Sequence, residues 1–170
     1  RRTFPGVPFV GMEPAVKPAT EQTRTGVVAV LATPATFQGA LYASVVERFG
    51  QNVTLLTHTC PGLVEEIEAG RLEGARAREI LTGALEPMLA QNADTVVLGC
   101  THYPFAIPLI QHIVGPEVRV IDPAPAVARQ TARVLEAAGA LVRSPEAGRL
   151  RLVTSAGAEG LARVLPLLLG

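Results

Sequence analysis

The stretch Thr95-Val96-Val97-Leu98-Gly99-Cys100-Thr101-His102-Tyr103-Pro104 decides the fold. Its first four residues are largely β-branched and apolar towards both faces, which suits a strand buried in a parallel sheet. Gly99 then lets the chain turn tightly, and an amphipathic stretch opens near Phe105. Outward from there the same alternation repeats. Strands are expected at Val7 to Val10, Gly26 to Ala32, Val53 to Leu56, Val118 to Ile121 and Arg149 to Thr154. Helices are expected at Phe37 to Phe49, Pro61 to Ala69, Glu73 to Gln91, Phe105 to Val114, Ala124 to Ala138 and Gly157 to Leu168. Strand and helix in turn predict an α/β chain, a parallel sheet flanked by helices and joined by right-handed crossovers. Thr36 is placed to cap the helix after the Gly26 strand, with Thr33 at the strand tip. Gly139 is placed to end the Ala124 helix.

A chain of 170 residues suits one domain, or one domain and part of another. With 15 Lys+Arg against 15 Asp+Glu it lacks the charge excess of an electrostatic nucleic-acid binder. Hydrophobic residues at 48% are too many for a disordered chain. The apolar stretches Gly26 to Ala32 and Val164 to Leu169 fall far short of the roughly 20 residues that span a bilayer. Pro5, Pro8 and Glu13 interrupt any export segment after Arg1-Arg2. Two cysteines make no disulfide framework, so a cytoplasmic setting is the default. The chain opens on Arg1 and its first Met is Met12, which raises the expectation of processing or of a missing N-terminal portion.

In open parallel sheets, ligands sit beyond the C-terminal ends of the strands. Three segments fall there: Thr33 to Thr36, His58 to Pro61 and Gly99 to Pro104. Cys100 lies at a strand tip facing the start of the next helix, where the helix dipole and free N–H groups favour a thiolate. His102, two residues on, can exchange a proton with it, so the pair reads as base, acid or nucleophile. The competing reading is an inert core cysteine beside a loop histidine. His58, Cys60, Cys100 and His102 offer four zinc donors, but neither pair has the two to four intervening residues of structural zinc sites. Glu65 and Glu68 share a helix face, and spacing alone makes them, with Glu66, solvated carboxylates. The single lysine, Lys17, sits in an expected surface stretch and offers pyridoxal phosphate no convincing anchor. With no Walker or G-x-G-x-x-G loop, the residues point to no cofactor and no metal.

Leu98-Gly99-Cys100-Thr101-His102-Tyr103-Pro104 resembles the signature of glutamate racemases. Gly26 to Thr36, His58-Thr59-Cys60-Pro61 leading to Glu68, and Val120-Ile121-Asp122-Pro123-Ala124 resemble further segments of that family in the same order. The resemblance implies two similar α/β domains with a cofactor-independent active site in the cleft between them. It implies a cytoplasmic enzyme that supplies D-glutamate for peptidoglycan, acting on glutamate with no nucleic-acid or membrane partner. A homodimer is admissible, though no residue pattern points to one.

Inversion at Cα needs one proton removed from one face and another delivered to the opposite face, which the family does with two cysteines. By resemblance Cys100 is the one acting on the L-glutamate proton. Catalysis would be shared by Cys100, His102 and Glu68, with Glu68 buried near the site, and Thr101, Thr33 and Thr36 would hold the substrate. The family's Asp-Ser-Gly and Cys-Asn-Thr motifs are absent, and Cys60 does not match the first catalytic cysteine. The expectation is therefore a C-terminal portion: residues 1–124 as one near-complete second domain, residues 125–170 returning to a missing first domain. Such a chain would be inactive by itself. The alternatives are a non-catalytic binding module on the same scaffold, or an aspartate racemase.

Overall fold

A computed structural model describes residues 3–4, 6–144, 146, 148–155 and 157–169. The chain divides into two compact units, Met12–Ala124 and Arg1–Gly11 with Pro125–Gly170.

The first of these units is built on four parallel strands: β1 (Val27–Ala32), β2 (Thr54–His58), β3 (Thr95–Gly99) and β4 (Arg119–Ile121). Their spatial order is β2-β1-β3-β4. Leu31 pairs with His58 on one side and with Leu98 on the other, so β1 and β3 are central. That position explains their sequences, since every residue of β3 and the last five of β1 are buried. The edge strand β2 carries exposed Thr54, Thr57 and His58.

Helices α1 (Val16–Gln22), α2 (Pro34–Phe37) and α3 (Ala40–Phe49) precede β2. Then α4 (Leu63–Glu68) and α5 (Ala75–Leu89) lead to β3, and α6 (Ile107–Val114) leads to β4. Helix α1 packs with α3, while α5 packs with α4 and α6. Chain direction across the sheet reverses between β1 and β3, so right-handed crossovers place these two groups on opposite faces. On the α1 side, Ala19 packs on Val28, Val30 and Val97, with Phe37 and Tyr42 closing the layer. Leu81 and Leu85 of α5 are fully buried, each contributing roughly 1.5–3 kcal/mol by leaving water.

Asp94 ties the start of the sheet together. Its carboxylate accepts the Thr23 hydroxyl at 2.6 Å, the N–H groups of Arg24 and Thr25 at 2.7 and 3.2 Å, and the Thr95 hydroxyl at 3.1 Å. Burial pushes this carboxyl up, but the four hydrogen bonds outweigh it and hold the group below the usual range. A depressed carboxyl stabilises the fold above its unfolded value, and that contribution is lost as pH falls through the folded one. Asp94→Ala is expected to cost about 2–3 kcal/mol at pH 7 and to flatten the loss of stability below about pH 4. Urea unfolding at pH 7 and pH 3 checks both; equal midpoints for variant and parent at pH 7 would remove Asp94 from this role.

The second unit contains most of α7 (Ala124–Ala137), and α8 (Ala158–Leu169). Gly139, at φ +64°, ends α7 in the left-handed conformation that glycine adopts without strain. Two expected strands are absent among the described residues: Val7 to Val10 and Arg149 to Thr154 are irregular. A strand in a sheet needs cover for its apolar side chains. Here Val7, Phe9, Leu150, Leu152 and Val153 stand exposed. Conversely, α1 forms where only a surface stretch is expected, because Val16 and Ala19 are fully buried while Lys17 points outward.

Candidate functional site

The switch between β1 and β3 is where a doubly wound sheet opens a crevice at its carboxyl edge. Thr33 and Cys100 follow those two strands directly. Gly99 permits this close approach: a Cβ there would lie 2.8 Å from the Ala32 Cβ. Thr33, rather than the expected Thr36, is the N-cap of α2, with its hydroxyl accepting from the Thr36 N–H at 3.4 Å. The two hydroxyls lie 3.0 Å apart, and that of Thr36 donates to the Gly99 carbonyl at 3.4 Å. Cap geometry decides the exchange: the residue with extended backbone is the one whose side chain can fold over the first turn.

Cys100 is 7% exposed, and its sulfur lies 3.9 Å from His102 Nδ1. His102 Nε2 lies 3.1 Å from Glu68 Oε1 at the end of α4. A carboxylate only accepts, so it requires hydrogen on Nε2 and leaves the Nδ1 lone pair towards the sulfur. The row can therefore take a proton from the thiol and return it. The element after Cys100 is a 3-10 turn, Tyr103–Ala106, with α6 beginning only at Ile107, so the thiol is followed not by the expected α-helix start but by the His102 imidazole and that turn. Glu68, expected to be buried, has a side chain 64% exposed, because it ends a two-turn helix whose inward positions are Leu63 and Ile67. Glu66, expected to be solvated, instead pairs with Arg71 at 2.8 Å and is only 12% exposed. Thr101 stands exposed at the loop tip.

Beside this row a cleft of about 180 Å³ is lined by Thr33, Pro34, Cys60, Pro61, Val64 and Tyr103. A larger crevice, about 660 Å³, opens at the opposite end of the strands. Its polar groups engage one another: Arg119 donates to Gln22, Gln111 to the Gly115 and Val118 carbonyls, and Arg24 pairs with Glu117. The thiol, imidazole and carboxylate all lie at the other end, so size does not locate the chemistry. No group of three or more metal-donor side chains converges among the described residues.

Cys60 and Tyr103 were given no part by the spacing of the residues. Both are buried and line the same cleft. Burial pushes the Cys60 thiol up to about 12, with a further rise from Cys100 and an opposing effect of Tyr103. Burial also raises the Tyr103 phenol. A thiol held above its unfolded value contributes nothing adverse below about pH 8.5, and the fold loses stability as pH rises from there towards 12. Between pH 9 and 10.5 the loss from Cys60 should be about 2 kcal/mol. Cys60→Ala should flatten that slope, read from urea midpoints at the two pH values; parallel slopes for variant and parent would count against a buried protonated thiol.

Fold and site together define a doubly wound α/β domain that presents a thiol, an imidazole and a carboxylate in a row at its switch point. A sequence profile described as Asp/Glu/Hydantoin racemase matches residues 1–131. The chain belongs to that family. It is 50% identical over 168 residues to a glutamate racemase of Pseudomonas putida, covering 99% of this chain and 63% of that protein. A crystal structure of Escherichia coli glutamate racemase, in complex with L-glutamate and the activator UDP-MurNAc-ala, superposes with a TM-score of 0.74 at 30% identity. That match covers 98% of this chain and 63% of the other. A Francisella tularensis glutamate racemase in complex with D-glutamate gives 0.62 at 26% identity, covering 76% and 49%. The chain thus spans less than two thirds of these relatives. No helix among the described residues is long and apolar enough to cross a membrane.

Proposed function

We propose that this chain supplies one wall of a glutamate racemase active site and that the full-length protein interconverts L- and D-glutamate without a cofactor. The observation that carries the reading is the row of Cys100, His102 and Glu68, at 3.9 and 3.1 Å, placed beyond the tips of the central strands. Cys100 acts as a thiolate on the L-glutamate Cα proton. His102 holds the thiol proton through Nδ1, and Glu68 keeps its ring in the required tautomer. Thr101, Thr33 and Thr36 hold the substrate carboxylate. A second cysteine, on the opposite face of Cα, comes from the part of the relatives that this chain does not span.

Glutamate rather than aspartate is favoured by a relative at 50% identity named glutamate racemase and by neighbours bound to each enantiomer of glutamate. The product serves peptidoglycan synthesis in the cytoplasm. Residues 125–170 pack on the remaining portion of the protein, a reading supported by the exposed apolar side chains of Val142, Leu150, Leu152 and Val153.

Chiral chromatography tests this. L-glutamate incubated with the full-length protein should yield D-glutamate, and the 170-residue chain alone should yield none. Turnover by the chain alone would defeat the half-site, and no turnover of either enantiomer by the full-length protein would defeat the reaction.

A further inference from the structure

Glu68 reaches His102 from a poor platform. It is the last residue of α4, a helix of six residues whose N-cap, Gly62, makes no side-chain bond. Helices this short do not hold together by themselves, and their end turns are the parts that fray. Leu63 and Ile67 bury the inward face, but burial fixes where the helix lies rather than how its final residue is turned. The contact with His102 supplies little restraint of its own, since Glu68 is exposed and an exposed ion pair gains little over water.

The restraint comes from the far side of the helix. At about 100° per residue, Glu66 leaves α4 roughly 200° around from Glu68. Its carboxylate takes both arms of one guanidinium: Arg71 Nε donates to Oε2 and Nη2 to Oε1, each at 2.8 Å. The Arg71 backbone N–H donates as well, to the Glu66 carbonyl at 2.9 Å. Ala69 and Gly70 close the same turn on the Glu65 and Ile67 carbonyls, at 3.0 and 2.9 Å. Pairing through two parallel bonds fixes direction as well as distance, which a single contact between flexible charges does not. The pair is also seated against the start of α5, because a Cβ on its N-cap, Gly74, would lie 3.8 Å from the Glu66 Oε2.

We propose that Arg71 is a positioning residue, whose two-armed hold on Glu66 fixes the last turn of α4 and so keeps Glu68 against His102. This rests on the reading of Cys100, His102 and Glu68 as a proton-transfer row. Arg71 acts through Glu68.

The test follows D-glutamate formation from L-glutamate by chiral chromatography in the full-length protein, with melting points measured alongside. Glu68→Gln should lower kcat. Arg71→Ala should lower it too, by roughly 3–30-fold with KM nearly unchanged. In the Glu68→Gln background Arg71→Ala should add nothing, because the carboxylate it positions is already gone. Arg71→Lys keeps the charge but lacks the second arm, so it should retain most of the loss. A lowered melting point with parental kcat in Arg71→Ala would make the pair merely structural and overturn the proposal. A loss that persists undiminished beside Glu68→Gln would overturn it as well, since Arg71 would then act elsewhere. Full activity in Arg71→Lys would overturn the two-armed hold in favour of charge alone. Parental kcat in Glu68→Gln would defeat the row itself, a failure distinguishable from that of Arg71 alone. Should Arg71→Ala fail to fold, Glu66→Gln carries the same comparison from the other partner of the pair.

Discussion

Cys100→Ser is expected to lower glutamate interconversion by the full-length protein by roughly 10²–10⁴-fold while leaving the fold intact. Serine occupies nearly the same volume, so the 7% exposed site is neither emptied nor crowded. What changes is acidity. An aliphatic hydroxyl holds its proton at neutral pH, and His102 Nδ1, 3.9 Å from the sulfur, cannot remove it to leave a useful base. On the proposed role of the thiolate, which acts on the Cα proton rather than on substrate binding, the loss should appear in kcat. Deuterium uptake at Cα, followed by mass spectrometry in D2O, isolates this step from inversion. Any uptake from L-glutamate that survives in the 170-residue chain should occur without inversion and vanish with Cys100→Ser. Uptake at the parental rate in the variant would remove Cys100 from the chemistry.

Gly99→Ala should give the largest loss of stability among single-methyl changes in the sheet. The added Cβ would lie 2.8 Å from the Ala32 Cβ, 3.3 Å from the Leu31 carbonyl and 3.4 Å from Pro14. All three neighbours belong to backbone or to short, stiff side chains, so β1 and β3 must part. The cost should be about 1–3 kcal/mol, or roughly 3–10 °C in Tm. Gly83→Ala is the control. Gly83 lies inside α5 with nothing within 4 Å of an added Cβ, so alanine there should stabilise by about 0.5–1 kcal/mol through helix propensity. Opposite signs from the same chemical change would show that close strand approach, not glycine flexibility, governs position 99. A Gly99→Ala melting point equal to the parent's would contradict the packing described here.

The central strands were legible because β1 and β3 are apolar towards both faces, a pattern that only a doubly covered strand requires. Helix α1 was not, since it buries just Val16 and Ala19 and contains Pro18, too few positions to register as a periodic face. Val7 to Val10 and Arg149 to Thr154 have strand-like composition but are irregular, with Val7, Phe9, Leu150, Leu152 and Val153 exposed, and composition does not report burial. At the site, Cys100 and His102 are two residues apart, so their proximity is local. Glu68 is 34 residues from His102, and spacing alone assigned it to solvent. Family resemblance placed it near Cys100, and the structure sets it against His102 with its side chain 64% exposed. That Cys60 and Tyr103 line one cleft was not anticipated at all, although both lie just after strands in segments already marked as candidates.

By itself the sequence determined the α/β class, the buried central strands and a thiol beside an imidazole at a strand tip. Those follow from interactions between residues close in the chain. Only the tertiary structure decided that β2 and β3 flank β1, which lets α4 meet the loop after β3 and brings Glu68 to His102 and Cys60 to Tyr103. The physical reason is that strand order and crossover packing arise from non-local burial, summed over many side chains. No local pattern carries that sum.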